Sequence, residues 1–121
     1  MIQKFEITSV HADVDEKLQK YVTRKISKLD MYMSSHARKS VHAEVFLKKK
    51  ESKGDKASYA CEVILHLPQE VLRVEEVTLN LYAAVDIVEN RLKHQLKKYK
   101  DLHDNPKLHQ RVIARFKRQI A

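Results

Sequence analysis

One stretch of the chain, residues 81–102, constrains the fold more than any other. Large apolar side chains recur in it at helical spacing: Leu81, Val85, Val88, Leu92, Leu96 and Tyr99. This spacing predicts one long amphipathic helix with a single apolar stripe, capped by Thr78 or Asn80 and stopped by Asn105 and Pro106. A helix with one stripe must bury it against another element, so the rest of the chain has to supply an apolar surface.

Alternating apolar and polar residues predict a sheet that supplies this surface. In the two clearest runs, every second residue is apolar: Val41, Ala43, Val45 and Leu47 in the first, and Tyr59, Cys61, Val63, Leu65 and Leu67 in the second. Each run predicts a strand with one buried face. Residues 48–56, which include the only glycine, are predicted to form the polar turn between them. Further strands are predicted over residues 3–10 and 71–77.

Another amphipathic helix is predicted between the first two strands. Asp13 is expected to cap it, with Glu16 three residues later closing a capping box, and the helix should end near residues 31–34. The predicted fold is therefore α+β with the order β-α-β-β-β-α, a four-stranded sheet with two helices packed on one face. We expect an α/β domain over residues 1–104 and a basic tail over residues 105–121, either a short helix or disordered.

The composition limits the classes of protein that need to be considered. A chain of 121 residues suits one domain, and the single cysteine, Cys61, excludes an intramolecular disulfide. We see no secretion signal and no apolar run of the roughly 20 residues that a membrane span needs. We therefore expect a cytoplasmic protein with no membrane association, monomeric when free.

The positive charge is concentrated near the end of the chain. The formal net charge is +8; residues 1–90 hold 14 Lys and Arg against 14 Asp and Glu, whereas residues 91–121 hold 10 against 2. Such asymmetry favours a polyanionic partner, although a basic tail that simply faces solvent is the alternative.

The basic side chains lie on defined flanks of the two predicted helices. On the second helix, one flank holds Arg91, His94 and Lys98, and the other holds Lys93, Lys97 and Lys100. On the first, Lys17, Arg24 and Lys28 share a flank, Lys20 lies behind them, and Lys25 projects within the apolar arc. Aromatic content is only 7%, with no run of aromatics among the basic residues. Backbone and shape recognition of folded RNA therefore fits better than stacking of single-stranded bases.

Signals for an enzyme are weak. One glycine cannot build a phosphate-cradling loop, and the seven histidines are scattered among different elements. His42 and His66 occupy polar strand positions and could be neighbours across a hairpin, so a small metal-dependent enzyme using them is one alternative. We nevertheless expect no catalytic residue, no metal, no cofactor and no small-molecule substrate.

Residues 72–100 strongly resemble the ribosome hibernation promoting factor family, which includes the ribosome-associated inhibitor. The resemblance is to the short form of this family. The match lies in the helix start Leu-Tyr-Ala-Ala-Val-Asp at residues 81–86 and in the basic helix end Arg-Leu-Lys-His-Gln-Leu-Lys-Lys at residues 91–98. The first helix also looks like that of the family, and the resemblance covers about residues 1–102.

The resemblance implies a fold related to double-stranded-RNA-binding domains. It also implies a translation inhibitor that binds the small ribosomal subunit in the mRNA–tRNA channel and inactivates ribosomes under stress or in stationary phase. By position, contacts to ribosomal RNA are carried over to Lys17, Lys20, Arg24, Lys25, Lys28, Arg91, Lys93, His94, Lys97, Lys98 and Lys100. The alternative from another class is a protein-interaction regulator that modulates a transcription factor through the basic tail.

Overall fold

A computed structural model describes residues 1–50 and 58–104 of the chain. The elements in chain order are β1 (Lys4–Val10), α1 (Glu16–Ser27), a 3-10 helix (Lys28–Tyr32), α2 (Ser35–Ser40), β2 (His42–Lys50), β3 (Ser58–His66), β4 (Val71–Thr78) and α3 (Leu81–Asp104). The predicted tail over 105–121, the predicted stop at Asn105 and Pro106, and most of the predicted turn lie outside the described residues. The domain boundary at residue 104 stays a prediction.

The four strands form one mixed sheet in the order β1-β2-β3-β4. β1 pairs parallel with β2, and the other two pairings are antiparallel. Side chains alternate across this sheet, so that Val45 and Leu47 of β2 and Val63 and Leu65 of β3 enter the core. The apolar residues of α1 and α3 belong to the same core, which confirms the predicted α+β arrangement.

The predicted stripe of α3 is buried along its whole length. Leu92 and Leu96 have no exposed surface, and Leu81 and Tyr99, near the two ends, are less than one-tenth exposed. Cys61 lies in the same core on β3. Burial, with the nearby charges of Glu62 and Glu75, raises the pKa of its thiol to about 12, so Cys61 acts as an uncharged packing residue.

The predicted cap of the first helix was wrong by two residues. The residue that caps α1 is Asp15, whose carboxylate accepts a hydrogen bond from the Leu18 amide at 2.8 Å. Glu16 is then the first residue of the helix, where its charge favours the helix dipole but no capping box can form. At the other helix the prediction of Asn80 is confirmed, because its side chain accepts a hydrogen bond from the Tyr82 amide at 2.7 Å.

The short helix α2 was not predicted, and β2 is longer than predicted, since residues 48–50 belong to the strand rather than to a turn. Six residues are too few to display a helical period. Local contacts hold α2 instead: Ser34 Oγ accepts from the Ala37 amide at 3.3 Å, and Arg38 Nε donates to the Asp30 carbonyl at 2.9 Å.

The face of the sheet opposite the helices carries a network of ion pairs. Glu62, whose side chain is only 6% exposed, lies 2.6 Å from the Arg73 guanidinium and 3.4 Å from the Lys48 ammonium. Glu75 of β4 accepts from Lys48 at 3.2 Å and from Lys50 at 3.4 Å. Burial alone would raise the pKa of Glu75, but the hydrogen bonds and charges of Lys48 and Lys50 outweigh it and lower the pKa.

We therefore expect the stabilising effect of Glu75 to disappear in acid. Because its folded pKa lies below 4.5, its contribution is complete above pH 4.5 and is lost as the pH falls through the lowered value. Glu75→Gln should cost less than about 1 kcal/mol of unfolding free energy at pH 7, and the difference from the unsubstituted chain should shrink as the pH falls below 4.5. Urea unfolding from neutral to acid pH measures this difference, with Asp13→Asn as the control, an exposed carboxylate that is in none of the described ion pairs. A difference that stays constant with pH would contradict the assignment.

Candidate nucleic-acid interface

Helices α1 and α3 lie side by side on the sheet and run in the same direction. Their contacts follow in step: Tyr21 meets Tyr82, Lys25 approaches Asp86 and Glu89, and Tyr32, at the end of the 3-10 helix that follows α1, approaches Lys93 and Lys97. This seam between α1 and α3, which we call the helix seam, is where the structure brings basic side chains of both helices together.

The first basic cluster lies at the start of the helix seam. A surface depression there is lined by Lys17, Lys20 and Arg24 of α1 together with the rings of Tyr21 and Tyr82. The two rings pack edge to face with their centroids 4.9 Å apart. The Arg24 guanidinium carbon lies 5.6 Å from the centre of the Tyr21 ring, within the range of a cation–π contact. Within residues 1–50 and 58–104, the only acidic partner of the three cations is the exposed Glu16, 3.1 Å from Lys20.

In the middle of the helix seam, two carboxylates compensate the charge of Lys25. Lys25 is half-buried, and its ammonium lies 3.7 Å from a carboxylate oxygen of Asp86 and 4.0 Å from one of Glu89. Tyr21 donates its hydroxyl hydrogen to Asp86; this hydrogen bond, with burial and the charges of Asp86 and Glu89, raises the pKa of Tyr21 to about 12. Lys25 was predicted to contact RNA, but its ammonium ties the two helices together, and that role stays a prediction.

The second basic cluster lies farther along the helix seam, around Tyr32. The ammonium groups of Lys93 and Lys97 lie 5.4 Å and 5.8 Å from the centre of its ring. Lys28 opens the same 3-10 helix that Tyr32 closes, and its side chain is exposed. Neither Lys93 nor Lys97 has an acidic partner among the described ion pairs, so their charges are available to a ligand.

The other flank of α3 faces β4 rather than α1. Arg91 forms an ion pair with Glu76 of β4, so its charge is compensated within the chain. Lys98 lines a depression beside β4 together with Arg73 and Tyr99. His94 and Lys100 are exposed. The two predicted flanks of α3 therefore lie on different sides of the helix, and the Lys93 flank is the one that joins the helix seam.

Three functional candidates were missed at the sequence level: Tyr21, Tyr32 and Tyr82. Each is partly exposed and lies beside lysine, arginine or another tyrosine of the helix seam. The three tyrosines are far apart along the chain, so no local run of aromatic and basic residues predicts their place in the helix seam. Cations bind phosphate oxygens and tyrosine faces accept stacked bases, so the helix seam has the chemistry of a nucleic-acid surface.

No helix within residues 1–50 and 58–104 combines the length and the apolar character needed to cross a bilayer. Helix α3 is long enough, but it carries charged residues along its exposed side.

Comparison with known proteins gives consistent matches over most of the chain. The sequence profile of the family described as Sigma 54 modulation protein / S30EA ribosomal protein matches residues 5–103. Proteins named ribosome hibernation promotion factor match from Lactococcus lactis subsp. cremoris, with 35% identity over 97 residues, and from Staphylococcus aureus, with 31% over 97 residues. One from Deinococcus radiodurans is 29% identical over 99 residues. These matches cover 80–82% of this chain, which spans about half the length of those relatives, 48–50%.

Solved structures show the same fold. The N-terminal domain of Protein Y from Thermus thermophilus superposes with a TM-score of 0.65 at 26% identity, covering 78% of this chain and 94% of that one. A ribosomal subunit interface protein from Coxiella burnetii superposes with a TM-score of 0.62 at 18% identity, covering 79% of this chain and 96% of that one. At that identity the second likeness concerns the fold alone.

Proposed function

This chain belongs to the Sigma 54 modulation protein / S30EA ribosomal protein family, and from that premise we propose that it is a ribosome hibernation factor. It binds the small ribosomal subunit in the channel used by mRNA and tRNA and keeps ribosomes inactive under stress or in stationary phase. It acts in the cytoplasm, as a monomer when free. The names of the relatives reported above support ribosome hibernation.

The mechanism is occupancy rather than chemistry. The helix seam presents two groups of cations, Lys17, Lys20 and Arg24 at one end and Lys93 and Lys97 at the other, separated by the ion pairs of Lys25 with Asp86 and Glu89. Each group lies beside tyrosine rings. Phosphate contacts of this kind fix the position of a protein on RNA without reading its sequence. A protein held in this way excludes mRNA and tRNA from the channel that it fills.

One observation carries this proposal most strongly: Lys93 and Lys97 are held over the Tyr32 ring without an acidic partner among the described ion pairs. Two ammonium groups on the same ring repel each other. A phosphate group placed between them relieves this repulsion, whereas a surface role alone gives no reason to keep them together.

Binding to the ribosome should weaken steeply as the salt concentration rises. Each phosphate contact displaces counterions and contributes roughly 0.7–0.9 to the slope of log affinity against log salt, so five contacts would give a slope of about −4. Co-sedimentation of the full chain with small subunits at several potassium concentrations measures this slope. An affinity that does not change with salt would exclude the electrostatic mechanism.

The alternative of a transcription-factor regulator acting through the basic tail receives no support from the three relatives named ribosome hibernation promotion factor. The same binding assay separates the two classes. A regulator of that kind would show no specific, saturable binding to the small subunit.

A further inference from the structure

A cluster of imidazole and carboxylate groups lies on the face of the sheet opposite the helix seam. His42, the first residue of β2, pairs in register with His66, the last residue of β3. Their rings are stacked with centroids 5.3 Å apart and an angle of 28° between the planes. The two histidines are therefore neighbours across the hairpin, as predicted, and both rings project from paired strands.

Glu44 adds a carboxylate to this pair. It lies two residues after His42 on the same face of β2, and its Oε1 is 3.5 Å from Nε2 of His66. That Nε2 atom is covered from solvent and has no hydrogen-bond partner among the described residues, although the ring around it is partly exposed. One potential ligand atom from each of His42, Glu44 and His66 lies within 4.8 Å of the other two.

A second carboxylate next to the cluster adds negative charge. Glu6 of β1 is directly opposite Glu44 in the parallel register, and its Oε2 lies 4.0 Å from Nε2 of His42. Like charges opposite each other on neighbouring strands are destabilising. A cation bound between these carboxylates and the two imidazoles would remove that repulsion and would also give the covered nitrogen of His66 a partner.

We propose that His42, Glu44 and His66 bind a divalent transition-metal ion of the zinc type. Two imidazole nitrogens and one carboxylate oxygen are a ligand set that zinc accepts, whereas calcium and magnesium take oxygen ligands. Ligand atoms around tetrahedral zinc lie roughly 3.3 Å apart, so shifts of about 1 Å in the side chains close the site. Glu6 or a water molecule completes the coordination, and Glu6 is placed to support His42 from the outer shell.

The site is independent of the ribosome-binding proposal because it lies on the other face of the sheet. Its ligands come from β2 and β3, two neighbouring strands that are already paired, so the folded chain presents them ready for the ion. Metal binding therefore stabilises the folded state through mass action. Loss of the metal ligands should leave the salt-dependent binding to small subunits unchanged.

The test is a titration of the full chain with zinc ions in competition with a chromophoric chelator. We expect one equivalent to bind, and the melting temperature to rise with zinc concentration. His42→Ala, His66→Ala and the isosteric Glu44→Gln should each weaken binding at least about 100-fold, more than the 10- to 100-fold typical of losing an outer-shell partner. Glu6→Gln should weaken it about tenfold. Cobalt ions bound to the same protein should give the visible spectrum of a tetrahedral site.

The controls are His94→Ala, exposed on α3 on the other face of the sheet, and a double variant with His103→Ala and His109→Ala near the end of the chain. Both should bind zinc like the unsubstituted chain. Circular dichroism and melting without metal verify that each ligand variant is folded, and the positions are on the surface of the sheet. Zinc binding that is absent from the unsubstituted chain, or that survives Glu44→Gln and both ligand histidine variants, would overturn the proposal.

Discussion

Replacing Lys93 and Lys97 together by glutamate is expected to weaken binding to isolated small ribosomal subunits at least about 100-fold at physiological salt, or about 2.7 kcal/mol. Both ammonium groups lie over Tyr32, and neither has an acidic partner among the described ion pairs. Reversal removes two phosphate contacts and adds repulsion between the new carboxylates and RNA. The slope of log affinity against log salt should also fall by about 2, since each lost phosphate contact lowers it by about 1.

A charge-matched variant separates a local site from a general effect of net charge. Lys4→Glu with Lys39→Glu changes the net charge by the same amount. These two exposed lysines line a depression with Met1 and Arg38, and neither lies on α1 or α3. We expect this variant to lose much less affinity than the Lys93 and Lys97 variant. Equal losses would mean that binding depends on total charge and not on the helix seam.

The β4 side of α3 provides a second comparison. Lys98→Glu reverses one charge on the same helix, beside β4 rather than beside Tyr32, and is compared with Lys97→Glu alone. A loss as large as that of Lys97→Glu would show that the RNA contacts also include this side. A small loss would restrict them to the helix seam.

Replacing Leu92 by alanine should cost about 2–5 kcal/mol of unfolding free energy. Leu92 is completely buried at the centre of α3, between that helix and the sheet. The substitution removes apolar surface from the core and leaves a cavity that a packed sheet cannot readily fill. For a domain whose total stability is about 5–15 kcal/mol, this is a large fraction.

Ile87→Ala is the matched control for Leu92→Ala. Ile87 lies on the same helix, but its side chain is 40% exposed, so its loss should cost less than about 1 kcal/mol. Urea unfolding of both variants measures the difference. Similar costs at the two positions would mean that helix propensity, and not burial against the sheet, determines the stability of α3.

The sequence was sufficient to predict the elements that carry a periodic pattern. The stripe from Leu81 to Tyr99 and the alternation in β2 and β3 reflect which face of each element is buried, and burial is the same constraint in the sequence and in the structure. The helix α2 has six residues and no such pattern. The cap at Asp15 rather than Asp13 depends on which carboxylate reaches a free amide, which two nearby candidates do not distinguish.

The chemistry of the helix seam could be predicted only in part. Helical geometry placed the basic residues on flanks, but it could not show that Lys25 is paired with Asp86 and Glu89, or that Arg91 is paired with Glu76. These partners are 15 or more residues away along the chain and come close only through packing. The same holds for Tyr32 beneath Lys93 and Lys97. The assignment of individual RNA contacts therefore stays a prediction.

The parallel pairing of β1 with β2 has a consequence for the order of folding. Along the chain, β2, β3, β4 and α3 follow one another closely, and each contacts the element before it. In contrast, β1 pairs with β2 only across a connection of 31 residues, from His11 to Val41. Closing such a long connection is entropically costly, so we expect the hairpins and α3 to form first and β1 to be added later. During synthesis β1 is made 31 residues before β2, so it has no partner strand until the chain has grown by that length.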